Sequence, residues 1–191
     1  MKRALSLGIV SSVLCLSAAA QAQEAFTLEK PQVGIGLGYG LWAGDDIEGD
    51  FNPYGLGFAV HGGYTLPMGV FIGGNFDYFL GDSEGDSSFN VYQFMVEGGY
   101  DIALGPTAVI RPQLGLGYTT YHAEACYDFS AIGGPEGCED ASSSDPSVAP
   151  GVRFLMDFGS VYGHASARYN HPFSDGNGDG ILLGVGAGMT F

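Results

Sequence analysis

Arg111, Arg153 and Arg168 each stand one residue out of phase with a run of alternating apolar residues, and Asp77 and Glu97 do the same. In a chain of period two, that phase turns them away from the apolar face. Gln93, Gln113, His61 and His164 share it. These residue types can build a buried network of ion pairs and hydrogen bonds. A buried charge without a partner is costly, so the arginines are expected to pair with Glu97 and Asp77, and with Asp157 further along. A turn centred on Leu104 would set Glu97 directly across from Arg111. Such a network serves either as a static plug or as a gate that rearranges to open a thin pore.

Two further patterns carry chemistry. Asp175-Gly176-Asn177-Gly178-Asp179-Gly180 matches the D-x-N-x-D-G start of a calcium loop. Asp175, Asn177 and Asp179 would supply oxygen ligands and Gly180 the sharp turn. The twelfth position, where a bidentate Glu is expected, is Gly186, so the expectation is a weak Ca²⁺ site or a plain turn-forming loop. Cys126 and Cys138 form a pair with no His beside them in sequence. They make a poor zinc site, and in an exported protein they predict a disulfide.

Enzyme motifs are missing. Gly34, Gly36, Gly38 and Gly40 are spaced by two and do not form G-x-G-x-x-G, and there is no G-x-S-x-G. His122 and His171 fall at loop bases without a Ser placed beside them in a strand. The chain is therefore expected not to be an enzyme.

The elements that must position these residues are strands. Ile181, Leu183, Val185, Ala187, Met189 and Phe191 alternate with Leu182, Gly184, Gly186, Gly188 and Thr190, which is the period of a strand. The same alternation recurs near 33–42, 55–64, 70–80, 90–100, 108–121, 148–158 and 161–170, giving eight strands. Each approaches the ~9–11 residues that a tilted strand needs to cross a bilayer. Connections alternate between short (66–69, 102–106, 158–160) and long (43–53, 81–88, 122–147, 171–180), the pattern of a transmembrane barrel. The long ones carry fifteen of the 21 acids, among them Asp45, Asp82, Glu124, Glu139, Asp140 and Asp145. Gly lines the inward face of the first, second and last strands, with bulky residues expected opposite. Side chains can fill a barrel of this size.

Residues 1–22 read as a signal peptide: Lys2 and Arg3, an apolar run from Ala4 to Leu16, then Ala20-Gln21-Ala22. Residues 23–191 are then the barrel domain. Loss of Lys2 and Arg3 leaves four basic residues against 21 acids, a net charge of −17. No basic footprint for nucleic acid remains. A soluble β-sandwich would also alternate, but Lys30 is the only Lys after the leader. Tyr and Phe also cluster at the ends of the apolar faces, as in interfacial girdles.

The chain resembles the small eight-stranded outer-membrane barrels, the group that includes the transmembrane domain of outer-membrane protein A and outer-membrane protein X. The terminal strand carries the likeness most sharply. Tyr169, Val185, Ala187, Met189 and Phe191 resemble the signal read in that family by the outer-membrane assembly machinery. The resemblance implies an all-β, eight-stranded antiparallel transmembrane barrel in the outer membrane of a Gram-negative bacterium, reached through the periplasm. It would be monomeric and surrounded by lipid and lipopolysaccharide. The expected role is structural or one of surface interaction: envelope integrity, adhesion or recognition through acidic outer loops. The alternatives are a narrow cation-preferring pore gated by the luminal Glu/Arg network and, more distantly, a lipid-A-modifying enzyme.

Overall fold

The computed structural model describes residues 29–44, 52–83, 87–128, 136–173 and 178–191. The leader and the tips of the outer loops lie outside them. The strands are β1 (Pro31–Trp42), β2 (Gly55–Thr65), β3 (Val70–Leu80), β4 (Ser87–Tyr100), β5 (Ile102–Ala103), β6 (Ala108–Asp128), β7 (Glu136–Asp157), β8 (Val161–Pro172) and β9 (Gly180–Thr190). Eight are long; β5 is a two-residue extension of the β4–β6 hairpin. Every neighbouring pair is antiparallel, and β1 pairs with β9, which closes the sheet into a barrel. Closure matters in lipid because an open edge would leave backbone N–H and C=O groups without partners.

Alternation decides which face is which. Ile35, Leu37, Phe94, Leu116 and Val185 lie exposed on the outside, whereas Phe71, Phe79, Met95, Leu155 and Tyr162 are buried inside. The aromatic residues form two belts. Tyr64, Tyr100, Phe158 and Phe191 sit at the end with the short turns; Tyr39, Tyr78, Tyr118 and Tyr169 sit toward the end with the long connections. Two short turns rest on glycines with positive φ, Gly69 (85°) and Gly159 (101°), a region open to Gly at little cost.

The glycines of β1, β2 and β9 make room for the bulky residues opposite. A Cβ at Gly186 would stand 2.2 Å from the Ile35 carbonyl oxygen and 2.5 Å from His164 Nε2. Gly186→Ala is therefore expected to cost about 1–3 kcal/mol by overpacking, read as a lower urea midpoint of the refolded barrel. Gly98 faces outward, and a Cβ there meets nothing within 4 Å, so Gly98→Ala should leave the midpoint unchanged.

Two expectations about connections are corrected. Residues 122–147 are not one long loop: β6 and β7 pair from Ala108↔Met156 up to Asp128↔Glu136. The last β7–β8 pair is Ser147↔Pro172, so the β6–β7 ladder continues for eleven more pairs, Tyr118↔Pro146 to Asp128↔Glu136. At ~3.3 Å per residue, that is about 35 Å of hairpin. The β4–β6 hairpin is centred on Pro106, not Leu104, because the turn is closed by the Leu104 N–H donating to the Ala108 carbonyl at 2.9 Å.

Candidate functional site: the filled lumen and the outer hairpin

The shifted hairpin changes the partner of Arg111. Glu97 faces Gly115, and the residue brought beside Arg111 is Asp101. Arg111 Nε donates to Asp101 Oδ1 at 2.5 Å and Nη2 to Oδ2 at 2.9 Å, a two-pronged, charge-assisted pair. Its remaining donors reach Gln32 Oε1 and Thr65 Oγ1, both at 3.2 Å. The guanidinium lies 3.8 Å from the centre of the Phe71 ring. This tier closes the lumen at the end with the short turns.

The middle tier holds most of the expected network. Arg168 Nη2 donates to Asp77 Oδ2 at 2.6 Å, and Asn75 donates to the same carboxylate. Glu97 is shared: Gln113 Nε2 reaches it at 3.1 Å, Arg153 Nη2 at 3.4 Å and Arg168 Nη1 at 3.5 Å. His61 Nε2 and the Tyr162 hydroxyl are 2.9 Å apart, with the His164 ring edge-on to His61 at 4.6 Å between centroids. Asp157 does not join. Its Oδ1 accepts the Gly159 N–H at 3.1 Å in the turn, because β7 ends there and the residue sits at the rim.

A third tier, built around Gln93 and Tyr54, closes the outer mouth. Tyr54, just ahead of β2, is fully buried. Its hydroxyl donates to the Gly178 carbonyl at 2.8 Å and accepts from Asn170 Nδ2 at 3.1 Å, and its ring stands edge-on to Phe79. Asn52 holds this segment to β1: its Nδ2 donates to the Gly40 carbonyl at 2.8 Å. Below, Gln93 donates to Thr119, which also bonds Ser147 and Asn170. Gln32, Thr65 and Asp101 could have been found by extending the inward phase of β1, β2 and β4 by one or two residues. Tyr54 carried no such signal, since it lies outside any alternating run.

On the outer surface, Cys126 and Cys138 face each other across the β6–β7 ladder and are bonded, with their Cα atoms 4.0 Å apart. Two rows below, Glu124 stands opposite Asp140; two rows above, Asp128 stands opposite Glu136. Opening the disulfide with Cys126→Ser and Cys138→Ser is expected to leave barrel unfolding unchanged, since the bridge lies beyond the lumen. Limited proteolysis should then cut within residues 122–143, where the bridged protein resists. Asp175 and Asn177 lie outside the described residues. Asp179 is engaged: its carboxylate accepts from His171 Nδ1 at 2.7 Å and from the Tyr169 hydroxyl. Among the described residues, no Ser, Thr or Cys side chain hydrogen-bonds to His171. Val185, Ala187 and Met189 lie on the exposed outer face of β9, and Phe191, just past its end, is exposed as well.

A closed eight-stranded barrel with an apolar outer band, aromatic belts and a polar filled interior defines a small integral barrel of the outer membrane. The family described as outer membrane protein beta-barrel domain matches residues 9–191, and the chain belongs to it. It resides in the outer membrane of a Gram-negative bacterium. Among solved structures it is similar to Ail, the attachment invasion locus protein of Yersinia pestis: 17% identity, 85% of this chain, 99% of that one, TM-score 0.58. It is also similar to neisserial surface protein A (16% identity, 84% and 97%, TM-score 0.57). A third is a major outer membrane protein from Thermus thermophilus (13% identity, 84% and 99%, TM-score 0.60). At these identities the likeness is one of fold. No curated protein sequence matches the chain.

Proposed function

We propose that this protein is a monomeric, plugged barrel that acts through its outer surface, presenting the β6–β7 hairpin to cationic partners. One observation carries the reading. The long hairpin sets two carboxylates directly opposite each other two rows from its disulfide, Glu124↔Asp140. Like charges in that position weaken a ladder. The disulfide offsets that cost, and a basic segment laid along the face relieves it. A negative patch also steers cationic partners on approach.

An Ail crystal structure holds the heparin analogue sucrose octasulfate (20% identity, TM-score 0.58). A polysulfated ligand has the wrong charge for this hairpin, so that specificity is not carried over. Contact of the acidic rim with anionic lipopolysaccharide would run through divalent cations, which carboxylates ligate. The outer face of β9 remains the segment we assign to the assembly machinery. The narrow-pore reading is disfavoured by three side-chain tiers in series.

The test replaces residues 122–143 by a short turn. The shortened protein should keep its heat-dependent gel shift. Binding of a fluorescent oligolysine to reconstituted vesicles should fall at least tenfold, and binding to the intact protein should weaken with salt. Equal binding by the intact and shortened proteins would overturn the reading, as would discrete single-channel openings of the intact protein in a planar bilayer.

A further inference from the structure

Above the barrel wall, β7 has a strand on one side only. Its last pair with β8 is Ser147↔Pro172, followed by the Phe173 N–H donating to the Pro146 carbonyl at 2.8 Å. Among the described residues, no strand pairs with that side of β7 further out. On the other side lies β6, itself covered by β4 as far as Ser87↔Ala125. The three strands make a small sheet above the wall, and β7 is its open edge.

Parity says which groups are open. In an antiparallel ladder, the N–H and C=O of one residue turn to the same neighbour and those of the next residue to the opposite side. The Asp157 N–H donates to the Thr107 carbonyl, so odd residues of β7 face β6; the Pro146 carbonyl shows that even ones face the open side. The register with β6 runs one to one along the whole ladder, so no bulge changes that phase. Cys138, Asp140, Ser142 and Ser144, all exposed, therefore present their backbone donors and acceptors to the open edge. At ~3.3 Å per residue they cover about 20 Å.

Proteins commonly guard such an edge with Lys, Pro, a bulge or a short strand. Residues 136–145 contain neither Lys nor Pro. The guard here is negative charge, with Glu139 and Asp140 adjacent in the strand and so on opposite faces of the sheet. That guard selects by sign. A second copy in the same membrane runs β7 in the same direction, and in-register pairing would set Glu139 and Asp140 against themselves, which is unfavourable. An acidic segment is refused in the same way. A segment with two successive basic residues gains an opposite-charge cross-strand pair on each face.

We infer that the free edge of β7 at residues 138–144 takes up an extended, basic peptide segment of a partner protein as an added strand. Backbone hydrogen bonds supply the affinity, and Glu139 and Asp140 the preference for adjacent Lys or Arg. This rests on the hairpin being a surface for cationic partners, and it states how such a partner lies.

The experiment uses the refolded barrel in lipid vesicles and a fluorescent peptide, Thr-Val-Lys-Lys-Val-Thr, beside oligolysine. Ser142→Pro removes one edge N–H and keeps the charge of the hairpin. It spares the ladder with β6, because Pro146 and Pro150 already stand in the same phase of β7. Peptide binding should weaken about tenfold, the worth of one or two backbone hydrogen bonds. Amide exchange of the wild type reads the same edge without any variant, and decides if Ser142→Pro fails to fold. Cys138, Asp140, Ser142 and Ser144 should exchange fast, Glu139, Ala141 and Ser143 slowly, and the peptide should slow the first set. Wild-type affinity in Ser142→Pro, or no slowing of those amides by bound peptide, would overturn strand addition while oligolysine binding still upholds the acidic surface. Failure of both probes to bind the intact protein would overturn both.

Discussion

Replacing Asp101 by Asn is expected to lower the unfolding free energy of the barrel in lipid vesicles by about 3–5 kcal/mol, the usual cost of breaking a buried ion pair from one side. Arg111 and Asp101 both have side chains at 0% exposure, so neither charge falls back on water when its partner goes. The substitution leaves a guanidinium facing Gln32 and Thr65, which are neutral, and the Phe71 ring. The ring supplies some compensation for the cation, on the order of 2 kcal/mol when desolvated, and that keeps the loss from being larger. The double replacement Asp101→Leu with Arg111→Met removes both charges and should recover much of the loss, because two apolar groups of similar volume leave no ion unpaired. Urea unfolding followed by Trp42, the single Trp of the chain, measures both. A loss below about 1 kcal/mol would be the value of an exposed pair, and would mean that water reaches Arg111 from the short-turn side.

The sequence carried the wall of this barrel almost completely, and the reason is the period of the strand. Once Ile181 to Phe191 is seen to alternate, each odd residue from Ile181 to Phe191 is assigned to lipid and each even one to the lumen, and burial follows that parity around the barrel wall, though not in the outer halves of β6 and β7. Parity also placed Gln93, Glu97, Arg111, Gln113, Arg153, His164 and Arg168 inside. It does not say which of them meet. Pairing depends on register, and register depends on where a turn closes. Moving the centre of the β4–β6 hairpin from Leu104 to Pro106 moves the cross-strand partner of Arg111 by four residues, from Glu97 to Asp101. The outer hairpin was hidden for a different reason. Residues 136–146 are Glu, Gly, Cys, Asp, Ala, Ser and Pro, poor in β-branched and aromatic types, so local propensity is silent there. The ladder with β6 and the disulfide hold the segment extended.

Tyr54→Ala is the second large effect expected, a loss of about 3–5 kcal/mol for a fully buried aromatic side chain. Tyr54→Phe should cost only about 1 kcal/mol for each hydrogen bond lost. The difference between the two separates packing against Phe79, Val91 and Leu182 from the bonds to Gly178 and Asn170. The side chain links three parts of the rim: the segment before β2, the end of β8 at Asn170 and the last outer connection at Gly178. Removing it should therefore also speed amide exchange at 52–54 and 178–180. Conductance should nonetheless stay silent in Tyr54→Ala. The tiers lie in series, and a path opened at the mouth still ends at the Arg153–Glu97–Arg168 cluster and again at Arg111–Asp101. Discrete openings in Tyr54→Ala alone would mean that the two inner tiers already pass ions and that Tyr54 is the gate, so that the charged network would have to be regarded as a selective lining and no longer as a plug.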